Sequence, residues 1–158
     1  MEKDCCFTNG IDWFRYRAAA IIIENGEVLM ATNEKCDYYY SVGGGVHMGE
    51  TAEEAVIREV YEETGILYEI DRLAYIHENF FDGDGMLEGF HCHEIALYYL
   101  MKPRGTQILN SNSYCPEGKE YMKWLSIDEL DHLQVYPLFF KEKLQNIKNC
   151  VEHIVTVQ

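Results

Sequence analysis

Basic residues are scarce in this chain of 158 amino acids: Lys and Arg together number 13 against 27 Asp and Glu, a formal net charge of −14. Such a surface repels nucleic-acid phosphates, so duplex DNA and long RNA are not expected as partners. A small anionic substrate remains compatible with this charge, because a bound divalent cation reverses the local electrostatics. By itself, the acidic balance indicates only a well-solvated surface.

Proline, paired cysteines and long apolar runs are also lacking. Only three prolines occur, and linker-like tracts are absent, which predicts one domain over residues 1–158. The six cysteines form no C-x-x-C pair, so we expect reduced thiols in a cytoplasmic protein. The longest apolar run, residues 18–23, is too short to span a membrane, and the first residues do not resemble a signal peptide. The sequence leaves open whether the chain forms a homodimer.

Strand and helix signals mix without a regular alternation. This mixture predicts an α/β (α+β) fold in which helices cover the faces of a mixed sheet. A tight Asn25-Gly26 turn is expected between the first two strands. The predicted strands are residues 16–23, 28–31, 38–42, 73–81, 90–101 and 121–125.

Capping signals predict the helices. Thr51 and Glu54 form a capping box in front of a helix over residues 52–63. Ser126 and Glu129 repeat that pattern before a short helix that ends near residue 133. Pro137 is expected to begin a last helix. Its apolar positions would be Leu138, Phe140, Leu144, Ile147 and Val151.

The most informative stretch lies in and before the first helix. Glu59, Glu62 and Glu63 stand at positions i, i+3 and i+4, so they share one helical face with Cβ atoms about 5–6 Å apart. Their mutual repulsion would be relieved by a hard divalent cation such as Mg²⁺. A glycine run before the helix lets a backbone approach phosphate oxygens closely. Three glutamates alone would favour an ordinary acidic surface helix, so the interpretation depends on the longer pattern.

That longer pattern is Gly44-x5-Glu50-x7-Arg58-Glu59-Val60-x-Glu62-Glu63-x-Gly65-Ile66, with seven fixed and two aliphatic positions over 23 residues. At average residue usage, a match somewhere in such a chain has a probability of roughly 10⁻⁷. The pattern matches the Nudix box, and the chain resembles the Nudix (MutT-like) hydrolase superfamily. The resemblance implies the Nudix fold, an α/β/α sandwich with a mixed β-sheet. One departure is Val42, where family members usually carry proline before the paired glycines.

The resemblance also implies an activity and its cofactor. It implies Mg²⁺-dependent hydrolysis, with Mn²⁺ as a substitute, of the pyrophosphate linkage in a nucleoside diphosphate joined to another moiety. That moiety would be a nucleotide, a sugar or an ADP-ribose-like group. The implied metal ligands are Glu59, Glu62, Glu63 and the backbone carbonyl of Gly43. Glu59 is also the general base in some members.

Other roles follow from the same resemblance. Arg58 would hold a box glutamate in place, Gly44 would lie at the cofactor, and Glu50 would contact it indirectly. Many members add a glutamate from a later loop as base or ligand. Glu120 is our catalytic candidate, while Glu94 and Glu117 remain open.

Two other functions deserve comparison with hydrolysis. A Nudix-like binding or regulatory module without turnover would typically have lost box glutamates, and a diphosphate isomerase on this fold would have a degenerate box; here the box is intact. The His91-x-His93 pair lacks further zinc ligands, and its histidines are expected to be structural or to face the substrate. Aromatic residues could stack on a base or sugar or could belong to the core. These aromatic residues are Tyr38, Tyr39, Tyr40, Phe80, Phe81 and Phe90.

Overall fold

The computed structural model of the protein describes residues 3–111, 114–115 and 118–158. The strands in these ranges are β1 (Cys6–Asn9), β2 (Asp12–Ile21), β3 (Ile23–Glu24), β4 (Glu27–Asn33), β5 (Tyr39–Gly45), β6 (Ile70–Asp82), β7 (His91–Met101), β8 (Tyr114–Cys115), β9 (Gly118–Ser126), β10 (Val135–Tyr136) and β11 (Glu152–Val157). The α-helices are α1 (Ala52–Thr64) and α2 (Phe140–Lys143). Two 3₁₀ turns cover Gly85–Leu87 and Ile127–His132.

The strands join in a mixed sheet, as the sequence predicts. Its order is β11-β6-β7-β2-β5-β4-β9-β8, with β1 beside β2, β3 beside β4 and β10 beside β5. Three pairs are parallel, namely β2 with β7, β6 with β11, and β5 with β10. The other pairs are antiparallel, including β2 with β5. Strand β2 therefore joins the long β6–β7 ladder to the glycine-rich end of β5.

Helix α1 has the ends that its sequence predicts. The Thr51 hydroxyl accepts a hydrogen bond from the Glu54 amide at 3.1 Å, and the Glu54 carboxylate accepts one from the Thr51 amide at 2.8 Å. Gly65 ends the helix in the left-handed conformation, with φ of 72°, which glycine adopts without a Cβ penalty. These caps fix where the helix begins and ends, and therefore which way its glutamates face.

Apolar packing holds α1 against the sheet. Ala55, Val56 and Val60 are fully buried and join a core cluster with Ala18 and Val42. Full burial of each valine stabilises the fold by about 1.5–3 kcal/mol. A second cluster covers the opposite face of the sheet. It includes Tyr75, Tyr98, Leu130, Phe139, Phe140 and Leu144. The layers are thus helix, sheet and a second layer of short helical segments.

The hairpin turn is confirmed, and both later helical segments are present, but the first lacks its predicted cap and the second is much shorter than predicted. Asn25 and Gly26 both have positive φ, 53° and 77°. Ser126 makes no capping hydrogen bond, and the segment after it is a 3₁₀ turn rather than an α-helix. The predicted last helix is reduced to the four residues of α2.

Strand β11 begins directly after Val151, the last apolar position of the predicted helix, and was not predicted. Its residues alternate between partly buried and exposed side chains, and the strand pairs in parallel with β6 from Glu152 to Val157. Backbone pairing with an open edge of the sheet outweighs the weak helical spacing of the preceding apolar residues. In the described ranges, no helix has the length and apolar character needed to cross a membrane.

Candidate active site

Glu63 lies at the centre of the box residues. Its side chain is 8% exposed, and its Oε2 accepts a hydrogen bond from the backbone amide of Gly43 at 3.1 Å. Burial raises its pKa well above the usual value, and repulsion from Glu120 and Glu59 adds to that rise. Arg17 opposes the shift without cancelling it. Glu63 is therefore a buried carboxylate that lacks a sufficient counter-charge.

Glu59 fits into a space that only glycine leaves open. A Cβ atom on Gly44 would lie 2.5 Å from the carboxyl carbon of Glu59, far inside van der Waals contact. Burial raises the pKa of Glu59, while its ion pair with Arg58 lowers it. The absence of a side chain on Gly44 thus lets a helix carboxylate lie directly against β5.

Arg58 joins the helix to the glycine-rich strand. Its Nε and Nη2 atoms donate to the two oxygens of Glu50 at 2.8 and 3.0 Å, and Nη1 donates to Glu59 at 2.7 Å. Nη2 also donates to the carbonyl of Gly45 at 3.1 Å. The planar guanidinium fork suits this geometry better than an ammonium group would. Glu50 is consequently bound to Arg58 and lies at the edge of the site.

Glu62 and Glu120 complete the group and differ in burial. Glu62 is more than half exposed and lies 3.5 Å from Nη1 of Arg58. Glu120, on β9, is 6% exposed and accepts a 2.6 Å hydrogen bond from the hydroxyl of Tyr40. Its charge acts on buried Glu63, so of the later glutamates that the structure describes, Glu120 is the one that approaches the box.

Glu94, another of the later candidates, does not join this group. Glu94 is buried and accepts a hydrogen bond from Nε of Arg15 at 2.9 Å. Its pKa is lowered, because Arg15 and Arg17 together more than offset the opposing effect of burial. Glu117 lies outside the described residues. The predicted choice between three glutamates therefore narrows to Glu120 among those described.

Arg17 is a residue of the site that the sequence did not predict. This buried side chain donates to Oγ and the carbonyl oxygen of Ser41, at 2.8 and 2.9 Å, and has no acidic group within ion-pair distance among the residues described. Its charge instead acts at longer range on Glu59, Glu63 and Glu94. The signal in the sequence was alternation: Trp13, Arg15 and Arg17 face one side of a strand whose continuation is apolar.

Within residues 3–111, 114–115 and 118–158, no three His, Cys, Asp or Glu side chains form a ready-made metal site. The residues nevertheless fit a divalent cation. Buried Glu63 repels its acidic neighbours, and Gly44 leaves room for Glu59. Carboxylate oxygens are the ligands that Mg²⁺ prefers, and a cation would relieve the repulsion.

A cavity of about 1150 Å³ is lined by Glu120 and Arg17, whose charges act on Glu63, but the box glutamates are not among its lining residues. Tyr38, Tyr40 and Phe81 from the aromatic candidates also line it. The histidine pair has structural contacts instead: His91 lies 3.0 Å from exposed Asp82, and the ring of His93 packs on Phe14 and Phe80. The cavity is large enough to hold more of a substrate than two phosphates.

A capped helix that presents carboxylates to a glycine-rich strand of a mixed sheet defines a class of fold and site, and comparison with known families agrees. The model of the NUDIX domain family matches residues 14–144. The chain belongs to this family.

The individual proteins that this chain is similar to differ from it at most aligned positions. A MutT-like protein of Streptomyces ambofaciens is 29% identical over 113 residues, which are 72% of this chain and 64% of that protein. The match thus spans less than two thirds of the relative. The structure of the MutT protein from Bacillus halodurans superposes with a TM-score of 0.64 at 21% identity and covers 90% of each chain. The E. coli dihydroneopterin triphosphate pyrophosphohydrolase gives 0.62 at 18% identity, over 87% of this chain and 99% of that one. At these identities the two structures support the fold.

Proposed function

We propose that this protein, as a single domain over residues 1–158, is a Mg²⁺-dependent pyrophosphohydrolase. It cleaves the pyrophosphate linkage of a nucleoside diphosphate joined to a second moiety. Membership in the NUDIX family supports this class of reaction. The observation that carries the proposal is the burial of Glu63 against the Gly43 amide, with Glu59 and Glu120 close enough to raise its pKa.

The proposed metal ligands are the carboxylates of Glu59, Glu62 and Glu63 and the carbonyl of Gly43. When bound there, Mg²⁺ polarises phosphoryl oxygens, neutralises the leaving phosphate and lowers the pKa of a coordinated water. Glu62 is exposed, so its side chain can rotate toward the buried carboxylates without disturbing the core. Mn²⁺ has similar ligand preferences and is expected to substitute.

Side chains of the protein have the remaining roles in the proposed reaction. Glu120 accepts the proton of the attacking water, because it is the non-box carboxylate nearest to the cluster among the described residues. Arg58 keeps Glu59 and Glu50 in fixed positions. Arg17 supplies a buried positive charge that favours the ionised form of the carboxylates. The cavity beside them receives the nucleoside or the linked group.

Product release from a panel of nucleoside diphosphate derivatives, measured with Mg²⁺, with Mn²⁺ and with chelator, tests the proposal. Glu63→Gln is expected to lower kcat by at least about 100-fold, since a ligand carboxylate is lost while the side-chain volume stays the same. Glu53→Gln is the matched control, because Glu53 is an exposed acid on the same helix. It should retain activity.

Three outcomes would contradict the proposal. Binding of the derivatives without any product release would instead indicate a binding module. Isomer formation without phosphate release would indicate an isomerase. Full metal-dependent activity of folded Glu63→Gln would remove the assigned role of Glu63.

A further inference from the structure

Polar side chains from four neighbouring strands form a row, the polar row, along the side of the cavity that the sheet provides. Arg15 pairs in register with Glu94, Glu94 with Asn79, and Asn79 with Thr156. All four residues line the cavity. Since registered partners in a sheet face the same side, the row runs from β2 through β7 and β6 to β11.

The last position of the row comes from outside the region that the family model matches. That region ends at residue 144, whereas β11 spans Glu152–Val157. Thr156 places its Oγ1 2.8 Å from Nε2 of His77 on β6. Gln158 also lines the cavity, and its side-chain amide donates to Oδ1 of Asn79 at 3.3 Å. Strand β11 and Gln158 after it therefore line one end of the cavity and hold polar groups of β6 in place.

The row has no net charge but offers varied hydrogen-bonding groups. Arg15 donates only, ionised Glu94 accepts only, and Asn79 and Thr156 can do both. The direct ion pair between Arg15 and Glu94 cancels their charges, which disfavours a further phosphate or carboxylate at this end. The row therefore matches an uncharged group that carries donors and acceptors side by side.

Flat apolar surfaces flank the row. Trp13 and Phe81 stand one pleat further along β2 and β6, on the same side, and both line the cavity. The guanidinium carbon of Arg15 lies 5.3 Å from the centroid of the Trp13 ring, so Arg15 is held between this ring and Glu94. Aromatic faces beside donors and acceptors suit a nitrogen heterocycle, whose faces are apolar and whose edge is polar.

We propose that β11 is a specificity element: together with Asn79 and Glu94 it recognises the edge of the nucleobase, a nitrogen heterocycle, of the nucleoside diphosphate. The inference rests on the proposed function for the identity of the substrate. Thr156 is a positioning residue within it, because Thr156 holds His77 and continues the polar row. The pKa of His77 is lowered by burial to about 4, so its ring is neutral. The neutral ring forms a hydrogen bond with the hydroxyl of Thr156.

Two substitutions on β11 give a matched test. Thr156→Val removes a hydroxyl from the cavity side with little change in volume, and Val155→Thr adds one on the opposite side, where Val155 is 55% exposed. The measurement is kcat/KM for diphosphate substrates that share one linked group and differ in their base: adenine, guanine, uracil or cytosine. Thr156→Val should reduce the ratio between best and worst base by about fivefold or more, the effect of one hydrogen bond. Val155→Thr should leave that ratio within about twofold.

Equal slowing of all four substrates by Thr156→Val would overturn the inference, because the strand would then act on stability or turnover. So would equal changes of the ratio in both variants. If Thr156→Val melts far below the wild type, Asn79→Leu is used instead, since it removes an amide of similar size from the middle of the row. The same loss of discrimination is expected.

A binding measurement distinguishes failure of this inference from failure of the proposed function. Affinities for the four nucleoside monophosphates are measured by calorimetry without turnover. If the wild type hydrolyses no diphosphate, the proposed function fails, but a base preference that Thr156→Val weakens would still support the role of β11. Identical affinities for all four bases in the wild type would overturn that role.

Discussion

The hydroxyl of Tyr40 donates a 2.6 Å hydrogen bond to Oε2 of Glu120 and thereby ties β5 to β9 beside Glu63. The two residues stand on either side of β4, where Ala31 pairs with Tyr40 and Asn33 with Glu120. Glu120 is almost completely buried, so its orientation depends on such contacts. Burial and this bond to Glu120 together raise the pKa of Tyr40 far above its usual value, which keeps the hydroxyl a donor.

Tyr40→Phe should therefore impair Glu120 without unfolding the protein. We expect kcat to fall about tenfold with a small change in KM, and stability to fall by about 1 kcal/mol, the usual net contribution of one hydrogen bond. Steady-state kinetics and denaturant unfolding check both values. In the Glu120→Gln background, Tyr40→Phe should have little further effect on kcat. Tyr39→Phe is the matched control. If Tyr40→Phe and Glu120→Gln lowered kcat independently, so that their losses added in the double variant, the coupling of the two residues would be contradicted.

Glu63→Gln should stabilise the metal-free protein even though it removes activity. The raised pKa of Glu63 means that the folded state binds this proton more tightly than the unfolded state. Ionisation of Glu63 therefore lowers the free energy of unfolding as the pH rises above the unfolded value. The variant has no such charge, and at pH 7 in chelator we expect it to be more stable by on the order of 1 kcal/mol.

The pH dependence of that difference provides a second check. As the pH falls toward the ordinary pKa of an unfolded glutamate, the wild type should gain stability relative to Glu63→Gln, because the folded state takes up the Glu63 proton first. Urea unfolding at several pH values, in chelator throughout, measures the difference. A wild type that is more stable than the variant at neutral pH would show that the carboxylate is well compensated without metal.

Gly44→Ala tests the space that holds Glu59. The new Cβ would lie 2.5 Å from the Glu59 carboxyl group, so this side chain must leave its bond with Arg58. We expect at least about tenfold lower kcat and weaker Mg²⁺ binding. Gly45→Ala is the control on the same strand, because its Cβ would meet the half-exposed carboxylate of Asp4, which can move aside. Comparable losses in both variants would indicate general damage to β5.

Local sequence signals predicted the part of the site that lies in one segment. The box places Glu59, Glu62 and Glu63 on one helix, and the capping residues Thr51 and Gly65 fix its ends, so these positions need no knowledge of distant contacts. The same holds for the Asn25-Gly26 turn. In each case the interacting residues are at most a few positions apart.

The rest of the site and of the fold depends on contacts between residues that are far apart in the chain. Arg15 and Glu94 are separated by 79 residues, as are His77 and Thr156, and neither pair leaves a periodic signal. The last strand was not predicted, because it follows the apolar positions assigned to the last helix and forms only by pairing with β6. The open edge of β6 is a feature of the assembled sheet and leaves no local signal in the sequence.

The pair of Glu94 and Arg15 should give a pH dependence opposite in sign to that of Glu63. The pKa of Glu94 is lowered in the folded state, because the nearby arginines more than offset burial. Its ionisation therefore contributes stability that is present above the unfolded pKa and is lost as the pH falls through the folded value. Glu94→Gln should destabilise the protein at neutral pH by on the order of 2 kcal/mol, less than a fully buried pair because Arg15 is one-third exposed.

The loss should shrink below about pH 4, where the unfolded wild-type glutamate takes up a proton. Glu88→Gln, which removes an exposed acid just before β7, controls for the change in net charge. Urea unfolding of the three proteins from neutral to acidic pH distinguishes the cases. If Glu94→Gln matched Glu88→Gln at every pH, the ion pair between Arg15 and Glu94 would contribute no stability.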